Sequence, residues 1–141
     1  MDAAADMALW ARFVRVSQAV LSDVEAALKS EGFPPLAWYD VLLELDRAGP
    51  DGLRPFELQR QMLLAQYNLS RLIDRMVQAG LVRRGECPED RRGCVLYLTE
   101  KGRGLRDGMW PAYRDAVTER FLGRLAPVEA EDLLSVLSRL S

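Results

Sequence analysis

The sequence predicts a mainly helical α+β chain in which four helices are followed by one β-hairpin and two further helices. Three observations support this fold class. Apolar residues recur at steps of three and four along most of the chain, which is the period of an amphipathic helix. Over residues 81–99 the pattern changes to two short strand-like runs around a turn-rich segment. The composition, 49% hydrophobic and 28% charged over 141 residues, is that of one globular domain.

Two helices are predicted in the first third of the chain. The first covers residues 8–29, with residues 3–7 as a candidate extension, and it ends before Pro34-Pro35. Its apolar stripe consists of Leu9, Phe13, Val16, Val20, Val24 and Leu28. The second helix covers residues 36–47 and ends at the turn formed by residues 49–52. Its inward side chains are Val41, Leu42 and Leu45.

The middle of the chain contains two shorter helices and the hairpin. A third helix begins at Pro55, a favoured first helical residue, and ends at Gln61 or Met62. A fourth helix covers residues 65–79 and is closed by a glycine. The two strands are predicted over residues 81–87 and 94–99.

Two more helices follow the hairpin. Thr99 is the predicted N-cap of the first of these helices. The first half of this helix is predicted to be interrupted, and the helix is predicted to be regular again from Ala112. The interrupting residues are Gly102, Gly104, Gly108 and Pro111. The last helix begins at Pro127 and carries an apolar stripe. This stripe consists of Leu133, Leu134, Leu137 and Leu140.

The terminal helices have apolar faces that are wide for elements at the edge of a small domain. We expect these faces to be buried against each other and against a second copy of the chain. Residues 1–35 and 103–141 then form a helical dimerisation region, and residues 36–102 form a second region without a linker. The alternative is that the terminal helices pack only on the core of their own chain.

The composition disfavours several functional classes. With no histidine and two cysteines, one chain cannot assemble the usual zinc ligand sets or a disulfide framework. Because no nucleophile–base pair is apparent either, we expect no metal, no cofactor and no enzymatic activity. No apolar run reaches the roughly 20 residues of a transmembrane helix. The acidic N-terminus lacks the layout of a signal peptide, so we expect a cytoplasmic protein without a membrane partner.

Positive charge is concentrated in the middle of the chain. Residues 54–106 contain eleven Arg and Lys against six Asp and Glu, a net charge of +5, and the remainder carries −7. A basic segment between acidic ends is typical of a protein that binds a polyanion such as double-stranded DNA. The alternative interpretation is a solvated charged face.

The fourth helix has one apolar and one polar side. At about 100° per residue, Leu69, Leu72, Ile73 and Met76 cluster on one side. Hydrogen-bonding side chains occupy the opposite side, where a recognition helix contacts base edges. The predicted DNA-contacting residues at this helix are Gln66, Tyr67, Asn68, Ser70, Arg71 and Arg75.

The hairpin has a basic tip. Arg91 and Arg92 are adjacent on a short turn, which suits insertion into a minor groove of negative potential. Asp90 beside them has a structural role in the turn, and Arg84 on the incoming strand is a candidate phosphate contact. Two helices joined by a tight turn and followed by such a hairpin are the organisation of a winged helix-turn-helix.

The run LSRLIDRMVQAGLVRRGECPEDRRGCVLYLTEKGR resembles the MarR family of bacterial regulators. The matching positions are Gly80-Leu81-Val82 at the end of the recognition helix, Asp90-Arg91-Arg92 at the wing and the Leu-Thr-x-x-Gly motif at residues 98–102. The resemblance implies a homodimeric repressor that binds a pseudo-palindromic operator and is released by a small ligand or an oxidant. Two positions depart from the family pattern, because Leu63 and Ala65 stand where relatives often have glycine and a Ser or Thr cap.

The sequence offers candidate residues for two kinds of signal. One is a small aromatic or amphipathic ligand that binds near the junction of the first, second and fifth helices. The candidate residues of this pocket are Trp10, Phe13, Arg15, Trp38, Tyr39 and Trp110. The alternative interpretation is that the aromatic residues among them belong to the core. The other signal is oxidation of Cys87 and Cys94, which flank the wing turn. The competing functional class is a winged-helix protein-interaction module that does not bind DNA.

Overall fold

A computed structural model of the chain describes residues 2–66, 68–86 and 93–141. These residues form four helices, an antiparallel pair of strands and two further helices, which confirms the predicted fold class. The helices are α1 (Ala3–Ser30), α2 (Leu36–Ala48), α3 (Pro55–Gln61), α4 (Leu69–Gln78), α5 (Glu100–Arg120) and α6 (Pro127–Leu140), and the strands are β1 (Val82–Arg84) and β2 (Leu96–Leu98).

The chain divides into two compact units. The middle unit comprises residues 32–111, and the terminal unit comprises residues 1–31 and 112–141. Helix α5 continues from one unit into the other, with Pro111 at the boundary. The division predicted from the sequence, after residues 35 and 102, into a helical dimerisation region and a winged helix-turn-helix region stays a prediction.

The middle unit has one hydrophobic core. The predicted inward residues of α2 are all buried, and so is the apolar side of α4. Leu58 of α3 and Leu96 of β2 complete the core from two further elements. Burying such side chains stabilises each by roughly 1.5–3 kcal/mol relative to exposure, so the core fixes the relative positions of α2, α3 and α4.

The hairpin is attached to the core through a third extended segment. In the register of the two strands Val82 pairs with Leu98 and Arg84 pairs with Leu96. Leu53 forms an antiparallel bridge with Leu96, in which each amide donates to the other residue's carbonyl oxygen. The preceding Gly52 has φ +64°, and a Cβ there would lie 2.4 Å from the Leu96 carbonyl oxygen. Only glycine therefore fits this close approach.

The terminal unit is built from α1, the second half of α5 and α6. Asp2 caps α1 by accepting a hydrogen bond from the Ala5 amide at 2.8 Å. Arg120 of α5 pairs with Asp23 of α1 across 3.7 Å. Many apolar side chains of α1 and α6 nevertheless remain exposed. They include Leu9, Trp10, Phe13, Val16, Val128, Leu134 and Leu140.

Two predictions about the elements are wrong. Helix α5 is not interrupted: it runs through its three glycines and Pro111 from Glu100 to Arg120. The intrinsic cost of these residues, about 1 kcal/mol per glycine and 3 kcal/mol for an interior proline, is offset by packing, because Met109 is fully buried in the same stretch. The fourth helix begins at Leu69 instead of residue 65.

Candidate nucleic-acid interface

The polar face of α4 is open to solvent, as its sequence predicts. Leu69, Leu72, Ile73 and Met76 are buried, whereas the polar residues around them are exposed. The exposed set is Asn68, Ser70, Arg71, Asp74, Arg75 and Gln78. A helix anchored by one face and presenting hydrogen-bonding groups on the other has the geometry of a recognition helix.

The start of α4 is set by Asn68. Its Oδ1 accepts a hydrogen bond from the Arg71 amide at 3.2 Å, which satisfies one of the free amides of the first turn. Gln66 is half-buried and precedes the helix, and Tyr67 lies outside the described residues. Asparagine is among the preferred N-cap residues, so Asn68, three residues after Ala65, is the sequence signal that marks this start.

The turn between α3 and α4 is held by a residue that the sequence analysis missed. Asp40 of α2 is 4% exposed, and its carboxylate accepts hydrogen bonds from the amides of Leu63 and Leu64 at 3.1 and 2.9 Å. The only signal in the sequence was an aspartate beside the inward positions of an amphipathic helix.

The end of α4 is held by the first residues of α5. Gly80 follows the helix with φ +77°, a conformation that favours glycine. Lys101 Nζ donates to the Ala79 carbonyl oxygen at 2.7 Å, and Thr99 Oγ1 donates to the Gly80 carbonyl oxygen at 2.6 Å. Thr99 Oγ1 also accepts from the Gly102 amide at 3.0 Å, which confirms its predicted capping role. The Leu-Thr-x-x-Gly motif thus joins the recognition helix to α5.

The hairpin is joined to α4 by an ion pair. Arg84 of β1 donates to the Asp74 carboxylate of α4, and the guanidinium is one-third exposed. Arg83 points to the other face of the hairpin, where its guanidinium lies 4.5 Å from the centre of the Tyr97 ring. Arg84 therefore has a structural partner as well as its predicted role at a phosphate.

The wing tip predicted from the sequence lies outside the described residues. This applies to Asp90, Arg91 and Arg92, and to Cys87 of the redox hypothesis. Cys94 is buried, 1% exposed, and it is disulfide-bonded. The minor-groove role of the two arginines and the redox role of the cysteines stay predictions.

A cavity of about 650 Å³ opens between α3, α4 and the hairpin. Its walls are mainly apolar, and its polar groups include the Ser70 hydroxyl and the Arg84–Asp74 pair. The lining residues are Pro55, Phe56, Gln59, Leu69, Ser70, Ile73, Asp74, Arg84, Cys94 and Leu96. This volume is in the range of small-molecule sites.

The six residues of the predicted effector pocket are divided between the two units. Trp10, Phe13 and Arg15 belong to the terminal unit and are exposed, with the two aromatic rings 6.4 Å apart between centroids. Trp38, Tyr39 and Trp110 belong to the middle unit, where Tyr39 is buried and Trp110 is 42% exposed. Their role in ligand binding stays a prediction.

Within residues 2–66, 68–86 and 93–141, no group of three or more Cys, Asp or Glu side chains is placed to hold a metal ion. None of the described helices is long and apolar enough to cross a membrane.

Comparison with known proteins identifies the family. Residues 31–93 match the model of the MarR family. The chain is 30% identical over 135 residues to YfiV of Bacillus subtilis (strain 168), an uncharacterized HTH-type transcriptional regulator, with 93% of this chain and 81% of that protein covered. It is 27% identical to AbsC, a MarR family transcriptional regulator from Streptomyces coelicolor, with a TM-score of 0.85 over 99% of this chain and 94% of that chain.

A second MarR family regulator from Streptomyces coelicolor, solved in complex with DNA, has the same fold. Its TM-score is 0.86 at 24% identity, over 99% of this chain and 88% of that chain. The family model covers α2 to the wing, which is the segment that carries the recognition helix and its anchors. The chain belongs to the MarR family of transcriptional regulators.

Proposed function

We propose that the chain represses transcription by binding double-stranded DNA as a homodimer on a pseudo-palindromic operator. The observation that carries this proposal is the open polar face of α4, which is held at both ends by side chains of other elements. In this arrangement Ser70, Arg71 and Arg75 face base edges and phosphates of the major groove. Arg91 and Arg92 of the wing reach the flanking minor groove.

The homodimer is supported by the terminal unit. Several large apolar side chains of α1 and α6 are half or more exposed, and Leu140 reaches 79%. Such a surface on a small protein is typical of a subunit interface. A two-fold dimer presents two copies of α4, which accounts for recognition of a palindromic site.

DNA binding also leads us to expect a cytoplasmic location and no enzymatic activity. A regulator of bacterial genes works in the cytoplasm, and it acts by occupying its site without turning over a substrate. The competing interaction module would act without contacting DNA. The basic stretch of residues 54–106, with a net charge of +5, favours the DNA-binding function.

Footprinting on DNA selected from random sequence, followed by titration at several salt concentrations, tests the proposal. We expect a protected palindromic site and a steep decrease of affinity with salt, because each neutralised phosphate releases counterions. An affinity that does not change with salt would favour the interaction module instead.

A small-molecule effector is the second part of the proposed function, and the cavity beside α4 favours it. Phe56 and Ile73 offer apolar walls, and Arg84 and Ser70 offer groups for an anionic or hydroxyl substituent. We infer that an aromatic acid fits this cavity. Calorimetric titration with a panel of aromatic acids tests this inference. If the ligand binds in the cavity beside α4, Arg84→Met should weaken binding and Trp38→Leu should leave it unchanged. If the ligand binds in the pocket predicted from the sequence, Trp38→Leu should weaken binding instead.

A further inference from the structure

A buried carboxylate in α2 binds the turn that leads into the recognition helix. Asp40 is 4% exposed and lies between buried Tyr39 and Val41. Its Oδ1 accepts the Leu63 amide at 3.1 Å, and its Oδ2 accepts the Leu64 amide at 2.9 Å. Because burial of a carboxylate is costly unless it is hydrogen-bonded, these two bonds explain how the core tolerates Asp40.

The two amides are the first ones after the last turn of α3. The Met62 amide still donates to the Leu58 carbonyl oxygen at 3.0 Å, in the helical pattern. Leu63 and Leu64 lie beyond the helix, and α4 begins only at Leu69. Two bonds to the two oxygens of one planar carboxylate fix both the position and the direction of this backbone segment.

The turn depends on the hydrogen bonds to Asp40 because its own residues do not favour one tight turn conformation. Leu63, Leu64 and Ala65 occupy a place where glycine often makes the turn. The Leu63 side chain is 69% exposed, so packing of that side chain does not hold the turn. Its backbone amide is held by Asp40 instead.

We propose that Asp40 is a positioning residue for sequence-specific DNA recognition. Its carboxylate sets where the chain enters α4 relative to α2, and so determines how Asn68 and Arg71 are presented. Asp40 does not contact DNA in this scheme. The proposal rests on the proposed function of α4 as the recognition helix.

The test compares Asp40→Asn with the control Glu44→Gln. Glu44 lies one turn further along α2 and is 7% exposed, but its hydrogen bond at 3.1 Å is to Arg47 of the same helix. Both variants remove a buried carboxylate from α2. Only Asp40→Asn turns an NH₂ group toward a backbone amide of the turn. The measured quantity is the affinity for the selected operator divided by the affinity for non-operator DNA of equal length.

We expect this ratio to fall about tenfold or more in Asp40→Asn, because a turn without its anchor no longer presents Asn68 and Arg71 to the bases, and the loss of one specific base contact has an effect of this size. The ratio should stay at the parent value in Glu44→Gln. A variant that is merely less stable loses both affinities in proportion to its folded fraction, which leaves the ratio unchanged. An unchanged ratio in Asp40→Asn would therefore overturn the positioning role.

Hydrogen exchange of the parent protein keeps the test valid if Asp40→Asn does not fold. The Leu63 and Leu64 amides should be as protected as amides inside α2, although they lie in a turn. Exchange at the rate of an open turn would overturn the anchor. The affinity ratio of the parent protein distinguishes failure of the proposed function from failure of the positioning role. If the parent protein prefers no DNA sequence, both the proposed function and the positioning role are refuted. If the parent protein prefers its operator and Asp40→Asn retains that preference, the positioning role alone is refuted.

Discussion

Gly102, in the first turn of α5, is required because a side chain would not fit there, and not because of its backbone conformation. A Cβ at this position would lie 2.2 Å from the Leu81 carbonyl oxygen and 2.7 Å from Leu98 Cδ1. From helix propensity alone, Gly102 is predicted to weaken the helix. The structure gives it a different role, because the close approach lets Thr99 reach the end of the recognition helix.

We expect Gly102→Ala to destabilise the protein, and Gly104→Ala to have the opposite effect. The first substitution forces backbone apart, which costs typically 1–3 kcal/mol. At Gly104, two residues further along α5, a Cβ has open space, so alanine gains the roughly 1 kcal/mol of its better helix propensity. Denaturant unfolding of both variants measures the two free energies. Equal free energies of unfolding for Gly102→Ala and Gly104→Ala would show that the close contact between residue 102 and Leu81 relaxes without cost.

Substitution of Arg71 should change which DNA bases the protein prefers. Its side chain is exposed in the first turn of α4, and only its backbone amide takes part in the Asn68 cap. Arg71→Ala should therefore keep stability within about 0.5 kcal/mol while removing about 1–3 kcal/mol of discrimination at one base pair. Selection of binding sites from random DNA shows the altered consensus.

Arg139→Ala on α6 is the charge-matched control for this experiment, since it removes the same exposed charge from the terminal unit. It should return the parent consensus with a small loss of overall affinity. An identical consensus from Arg71→Ala would remove this side chain from base recognition.

At the scale of elements, α4 is defined by its two ends. Asn68→Ala removes the N-cap and should reduce the free energy of unfolding by about 1 kcal/mol, whereas Asn68→Asp keeps an equally good cap. Both variants should bind the operator less well, because one loses a polar group and the other adds negative charge near phosphates. Thermal unfolding and operator titration together separate the capping role from the DNA contact. Equal stability of the alanine variant and the parent would contradict the cap.

The sequence predicted some element boundaries well because local signals marked them. Helix α3 begins at Pro55 as expected, and α2 begins directly after Pro35. The start of α4 was misplaced because Leu63 and Leu64 continue the apolar pattern into the turn. Asp40 was missed because its partners are 23 and 24 residues away in sequence. Local periodicity carries no information on such a contact.

The continuity of α5 was also beyond the reach of local propensity. Glycine and proline in its first half predict a weak helix, and the buried contacts of Gly102 and Met109 help to explain why the helix persists. Salt bridges from Arg103 and Arg106 to Asp46 of α2 hold the same segment at 3.4 and 3.2 Å. These are contacts between elements, which a single-sequence pattern does not encode.

At the scale of the whole molecule, the apolar faces of the terminal unit lead to a prediction about assembly. Leu134 of α6 is 67% exposed in the single chain. If this face is the subunit interface, Leu134→Glu loses the burial of a leucine and introduces a charge, once from each subunit of a two-fold dimer. The dimer dissociation constant should rise on the order of a hundredfold.

Ser135→Glu provides the matched control, because it introduces the same charge at the next residue of α6, about 100° around the helix. Sedimentation velocity over a range of concentrations measures both dissociation constants. The middle unit contains its own core, so the monomeric variant should retain α4 and its anchors and still bind DNA weakly. Its affinity for a two-half-site operator should fall to that of the parent for a single half-site, since the second half-site contact is lost. A Leu134→Glu protein that remains dimeric would place the subunit interface elsewhere.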